Sequence, residues 1–330
     1  MCSHARAPPP FSATPRALGR ALVPKSATPV SAVCRAIGHI PQKGAPMPFC
    51  CSPSIPNVFD VISERPWEIA VPPFQVAPRT YYVSGQRWVG SYLIDTGDGC
   101  ILVDTGVLES CPLLVESVHE LGYSLRDIRI ILVSHAHVDH CGAAGMLAHL
   151  SGADVLMSGE DEEFMRACPE ETLAIDPRLR AQPFEVSGHF SDDEPVTLGE
   201  VSVRTLLTPG HTCGCTSFFW DVENPASGER YTVGMHGGVG VNTMNDEYYA
   251  SSAYLTPALR ERFVEDAGRL ARMHVDIALP SHPNQIEIMD RAGSYTDEAQ
   301  PYLDAGVWAE FLAERVRQVR EAMGSQVSRR

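Results

Sequence analysis

Lysine is nearly missing from this chain. Its only two copies are Lys25 and Lys43, and every later Lys-or-Arg position is arginine. Asp and Glu are missing from residues 1–46. No run approaches the roughly 18 apolar residues that a membrane-spanning helix needs, so no membrane partner is expected. No Cys-x-x-Cys pair occurs among the ten cysteines, and their spacing follows no disulfide framework. They read as reduced, small packing residues. No basic segment followed by an apolar stretch and a small-residue cleavage site is seen, so a cytoplasmic location is expected. With 26 basic residues against 41 acidic ones the net charge is −15, which disfavours a nucleic-acid backbone as partner. A small-molecule partner is the expectation.

What is present divides unevenly. Residues 1–46 carry six basic and no acidic side chains, so the remainder carries −21. Proline, alanine and serine dominate this stretch. Such a composition cannot bury enough apolar surface to offset the entropy of ordering, and a disordered tail is expected. The abrupt change in basic-residue usage favours a further reading, translated upstream sequence with Met47 as the native start. Residues 47–330 are expected to form the working domain, with 44% hydrophobic residues over the whole chain, as suits a globular protein.

The densest signal is Ser134-His-Ala-His-Val-Asp-His-Cys141. It follows a short β-branched run at 128–133 that reads as a buried strand, and precedes a small, apolar stretch that reads as a helix start. Three imidazoles and a carboxylate on a strand-to-helix turn are the ligand set of a borderline metal such as zinc. In extended backbone His135, His137 and Asp139 are expected to point one way and His140 another, so that one loop feeds two adjacent metal positions. Elsewhere, strands are expected at 68–71, 80–84, 90–95, 100–104, 153–157, 201–207, 216–220, 231–233 and 276–279. Helices are expected at 109–122, 160–168, 257–274 and 301–323. Residues 169–194 read as a loop near a substrate mouth. Strand followed by histidine recurs at His211 and His282. Periodicity alone gives an α/β class.

Four separated motifs now agree. They are Leu102-Val-Asp-Thr-Gly106, the His135–His140 cluster, Thr208-Pro-Gly-His-Thr-Cys-Gly214 and Pro280-Ser-His-Pro283. Together they resemble the metallo-β-lactamase superfamily across roughly residues 66–290. The resemblance implies a four-layer αββα sandwich and two Zn(2+) ions. His135, His137 and His211 would hold one ion; Asp139, His140 and His282 would hold the other. Asp104 would orient a ligand histidine.

The departures narrow the reading. The strand near 231–235 ends in Gly-Met-His-Gly-Gly-Val-Gly240, with no bridging Asp and no cysteine ligand. An all-His/Asp set resembles the third subclass of class B metallo-β-lactamases. That subclass has a serine after this strand, where Gly237 or Gly238 falls here. His236 and Gly237 are candidate substrate contacts, with a glycine-flanked loop histidine as the plainer reading of His236. The implied activity is hydrolysis of a small carbonyl substrate by a metal-held hydroxide, a cyclic amide first, with Asp139 as the catalytic carboxylate. Lactone or thioester hydrolysis is the alternative. A metal-binding scaffold without catalysis is the non-enzyme alternative, and the full ligand set in all three loops speaks against it.

Overall fold

The computed structural model describes residues 55–324. The expectations for residues 1–46, and for a start at Met47, lie outside the described residues. The strands are β1 (Phe74–Ala77), β2 (Thr80–Tyr82), β3 (Tyr92–Asp95), β4 (Cys100–Val103), β5 (Ile128–Leu132), β6 (Asp154–Met157), β7 (Gly188–His189), β8 (Val196–Leu198), β9 (Val201–Leu207), β10 (Thr216–Glu223), β11 (Arg230–Met235) and β12 (Ile277–Leu279). The helices are α1 (Val58–Glu64), α2 (Cys111–Glu120), α3 (Val138–Cys141), α4 (Ala144–Ser151), α5 (Gly159–Ala167), α6 (Asp246–Ser251), α7 (Pro257–Leu270) and α8 (Ala305–Gly324).

Strands β1 to β7 form one sheet in sequence order, and β12-β11-β10-β9-β8 form the other. In the first, β4, β5, β6 and β7 run parallel; in the second, β11 and β12 do. The side-chain alternation of β10 shows how the layers stack. Phe218, Trp220 and Val222 enter the apolar cluster shared by both sheets, with Ile94, Ile101, Val103 and Leu132 from the first. Phe219 points the other way and meets Trp308 of α8 edge-on, with ring centroids 5.6 Å apart. Strand β12 repeats the pattern, with Ile277 and Leu279 inward and Ala278 outward.

Helices α7 and α8 cover that outer face through Phe263, Ala267, Leu270, Phe311 and Leu312. Helices α2 and α4 add Leu114, Val118 and Leu147 to the cluster of the first sheet. The result is a four-layer αββα sandwich. Each fully buried large apolar side chain contributes about 1.5–3 kcal/mol. Two polar contacts also tie sheet to sheet. The Tyr92 hydroxyl donates to the Pro280 carbonyl at 2.7 Å, and Trp220 Nε1 donates to Thr80 Oγ1 at 3.4 Å.

Some expected elements differ; the last helix begins at Ala305 and not at 301, and the loop expected at 169–194 contains β7. Residues 68–71 are not a strand. Pro66 opens a 3-10 turn, Pro66–Ile69, because its fixed φ suits the start of a helical turn, and the first strand begins at Phe74. Helix α7 stops at Leu270, so His274 is exposed and pairs with Asp276 instead of lining the helix face. Arg260 lies on the buried face of α7, where Asp246 meets its guanidinium at 2.7 Å. Among the described residues no helix is long and apolar enough to cross a membrane.

Candidate metal centre

The centre forms at the ends of β5, β9 and β12. Strand β5 ends at Leu132 and leads into residues 134–137, a bent segment that closes on the extended His137. Asp104, just past β4, adopts a left-handed backbone with φ 57°, which Asp tolerates better than most residues. There its carboxylate accepts the Ser134 backbone N–H at 2.7 Å and the Ser134 hydroxyl at 2.7 Å. It also meets His140 Nδ1 at 2.8 Å. One buried carboxylate thus fixes both the loop and the orientation of an imidazole.

The expected alternation holds for His135 and His137 and then breaks. His137 is the extended cap of α3 (ψ 145°), and the backbone turns helical at Val138. Asp139 therefore leaves the face of His135 and His137 and joins His140. Two groups of donors result, His135–His137–His211 and Asp139–His140–His282, each with its ligand atoms within 4.8 Å of one another. Between His137 Nδ1 and His211 Nε2 the distance is 3.0 Å; between His140 Nε2 and His282 Nε2 it is 3.2 Å. Asp139 Oδ2 lies 3.4 Å from His282 Nε2 and 3.6 Å from His140 Nε2. The two groups are adjacent, with the His135 and His140 ring centroids 4.0 Å apart.

The far nitrogens of four rings are held by other groups. His135 Nδ1 meets the Ser134 hydroxyl at 3.0 Å, His140 Nδ1 meets Asp104, His211 Nδ1 meets the Gly240 carbonyl at 2.9 Å, and His282 Nδ1 meets the Trp88 carbonyl at 2.8 Å. Each pairing turns Nε2 toward the cluster, as outer partners of metal-binding histidines do. His135 Nε2 is buried with no hydrogen-bond partner. A buried, unpaired imidazole nitrogen is costly unless something else binds it. Donors about 2.0–2.1 Å from a tetrahedral zinc stand about 3.3 Å apart. The observed spacings fit such an ion at each group.

Electrostatics agree. Burial, reinforced by neighbouring imidazoles, lowers His135 and His211 well below the ordinary histidine range. Burial also lowers His137 and His282 to about 4, although Asp139 pulls the other way. These four rings are neutral at pH 7, the form that binds a metal. Burial opposes charge on His140 too, but Asp139 and Asp104 outweigh it and raise that ring. Burial would raise Asp139; His140, His282 and His137 overcome it and lower it.

A second carboxylate joins the ligand loops. Asp161, fully buried on α5, accepts Ala136 N–H at 2.8 Å, the Thr212 hydroxyl at 2.7 Å and Gly214 N–H at 2.6 Å. Ala136 lies between His135 and His137, and Thr212 follows His211. Burial raises this carboxyl to about 6 despite its three donors.

The donors open into a cavity of about 620 Å³, which Trp88, Glu170, Glu171, Ile175, Thr243 and Tyr248 also line. The loop at 169–194 does reach its mouth. His236 and Gly237 do not line it. Strand β11 turns Tyr231, Val233 and Met235 into the inner core, so His236 takes the opposite face and packs against Phe263, ring centroids 5.7 Å apart. Burial lowers it to about 3. A Cβ on Gly237 would strike the Thr216 carbonyl at 2.3 Å. Gly238 does line the cavity, yet a Cβ there would stand 2.3 Å from Cys215 Sγ and 2.8 Å from His211 Cδ2. Neither position has room for a serine. Tyr249 packs, donating its hydroxyl to the Gly210 carbonyl.

Sequence reading missed Asp161, Trp88 and Thr243. Asp161 sits in an acidic run that reads as a solvated helix face. Trp88 acts through its backbone carbonyl, which no residue type signals.

An αββα sandwich with histidine and aspartate donors at its strand ends defines a metallo-β-lactamase-type fold. The sequence model of the metallo-β-lactamase superfamily matches residues 89–224. Over those residues the chain is similar to that superfamily. It is 29% identical over 166 residues to an N-acyl homoserine lactonase of Bacillus thuringiensis, which covers 42% of this chain. The chain spans 60% of that lactonase's length. The metallo-β-lactamase of Legionella gormanii superposes with a TM-score of 0.70 at 26% identity, covering 78% of this chain and 97% of its own. A subclass B3 metallo-β-lactamase of Bradyrhizobium japonicum superposes at 0.71 and 23% identity, covering 81% and 98%, a likeness of fold.

If Asp104 orients His140, Asp104→Asn keeps a residue tolerant of left-handed backbone but removes the charge. The expected result is zinc affinity lowered about 10–100-fold. Competition with a chromophoric chelator measures it, and unchanged affinity would remove Asp104 from the account.

Proposed function

We infer that this chain is a dinuclear zinc hydrolase of small cyclic carbonyl compounds. The observation that carries the reading is the pair of adjacent three-donor groups on one cavity, their rings aimed by buried partners. Zinc, when bound there, lowers the pKa of a bound water toward about 7 and polarises a carbonyl. His135, His137 and His211 would hold one ion; Asp139, His140 and His282 would hold the other.

The chain's own residues do the rest. Asp139, kept ionised by three imidazoles, presents Oδ2 to the cavity, where it can orient an attacking water and accept its proton. Asp104 and the Gly240 and Trp88 carbonyls keep the rings from turning. Val58, Phe59, Trp88 and Val239 give the cavity an apolar share that displaces water from a bound substrate.

A lactam is the first reading, supported by the all-His/Asp donor set and by the likeness to the Legionella enzyme. A lactone is the second, supported by the likeness to the Bacillus lactonase. The test is a panel of nitrocefin-type lactams, acyl-homoserine lactones and thioesters, with and without chelator. Ring opening that chelator abolishes and zinc restores is expected. Turnover of thioesters alone, or turnover indifferent to chelator, would overturn the reading.

A further inference from the structure

The cavity contains an uneven set of charges. Among the described residues, its lining includes Glu170 and Glu171 but no lysine or arginine. Both glutamates lie on the 3-10 turn Pro169–Glu171 that follows α5; they cluster with Cys168 within 4.8 Å, apart from the two donor groups of the metal centre. Glu171 Oε2 is buried with no hydrogen-bond partner, and the Glu171 carbonyl accepts the hydroxyl of Tyr248, itself a lining residue. An unpaired carboxylate oxygen in such a place repels anions and offers an acceptor to a donor group.

Two arginines of the surrounding elements, Arg178 and Arg260, are already engaged. Arg178 pairs with Asp60 and Asp176 and stacks over Phe59, 5.3 Å from its centroid. Arg260 pairs with Asp246 and lies over Tyr249. Neither lines the cavity. No lysine occurs among the described residues at all. Serine is sterically barred at Gly237 and Gly238, so the strand end supplies no hydroxyl in its place. Apolar side chains fill much of the remaining lining, namely Val58, Phe59, Trp88, Ile175 and Val239.

We propose that the cavity selects acyl lactones or lactams whose substituents are uncharged or cationic, and discriminates against carboxylate-bearing ones through Glu170 and Glu171. The proposal rests on the hydrolase reading for its ring class, and concerns the substituent alone. The carbonyl would face the metal centre. The acyl chain would lie along the apolar lining, and a terminal amide or ammonium would be accepted at the glutamates. A carboxylate there, at the far end of the acyl chain from the metal centre, finds two like charges and no lysine or arginine in the lining.

The test separates binding from turnover. Three five-membered lactams with a free ring N–H and an acylamino group on the ring carbon next to the carbonyl, which resist ring opening, carry a terminal carboxamide, ammonium or carboxylate on the same acyl chain. Calorimetry on the zinc-loaded protein measures their binding. The carboxamide and ammonium probes are expected to bind at least tenfold tighter than the carboxylate probe. In Glu170→Gln/Glu171→Gln, and in Glu171→Gln alone, the carboxylate deficit should shrink severalfold, as it should for the parent at high salt. A carboxylate probe that binds as well as the carboxamide, or a deficit unchanged in both variants, would overturn the proposal. Failure of every lactone and lactam in the hydrolysis panel would sink the hydrolase reading instead, and leaves the binding order to be read separately.

Discussion

His137→Ala is expected to lower hydrolysis at least about a thousandfold while leaving the fold intact. His137 Nδ1 is one of three donors in its group, 3.0 Å from His211 Nε2. Removing it leaves two imidazoles, too few to hold an ion against water. Carbonyl polarisation by a bound ion contributes several kcal/mol to the transition state, and each 1.36 kcal/mol is a factor of ten in rate. Zinc content should fall with the rate. Circular dichroism should stay at the parent's, because the ring faces the cavity and not the core between the sheets. Turnover within a few-fold of the parent would refute the site.

Asp161→Ala carries the second large effect, on stability. The substitution strands three buried donors at once: Ala136 N–H, Thr212 Oγ1 and Gly214 N–H. Each unpaired buried polar group costs about 1–3 kcal/mol. The summed loss is expected to exceed about 3 kcal/mol, a drop in Tm on the order of 10 °C. The measurement belongs on chelator-treated protein, so that metal binding does not mask the loss. The Tm of the metal-free variant should fall well below that of the metal-free parent. A change of only one or two degrees would show that Asp161 does not join the two ligand loops.

These two residues mark the limits of reading the sequence. His137 was legible because four ligand-type side chains crowd six positions, after a strand whose buried run is unmistakable. His211 and His282 were legible because each repeats the same strand-then-loop pattern, and the fold brings both onto the first cluster. The grouping of Asp139 with His140 agreed with the expected metal sets, but for another reason. Extended alternation would have sent Asp139 with His137; the helical turn at Val138 sends it with His140. Asp161 was not legible, because its partners lie 25, 51 and 53 residues away and two of the three are backbone N–H groups. Trp88 was hidden for the same reason, since a backbone carbonyl leaves no trace in residue identity.

Strand boundaries followed the same logic. Strand β9 was read to the residue, because its buried and exposed positions alternate cleanly through most of its length. The stretch at 68–71 was misread, because its apolar residues suggest a strand while Pro66 sets a helical turn. The departure at Gly237 and Gly238 was visible as composition. Its cause is steric: His211, Cys215 and Thr216 occupy the space a side chain would take.

The central claim is that six side chains from three distant loops hold two ions. Metal analysis of zinc-saturated, desalted protein tests it most directly, alongside His211→Ala and His282→Ala, which each disrupt one donor group. The account predicts two zinc ions per chain in the parent and a loss of about one in each variant. A parent that retains a single ion at saturation, or variants that both keep two, would contradict it.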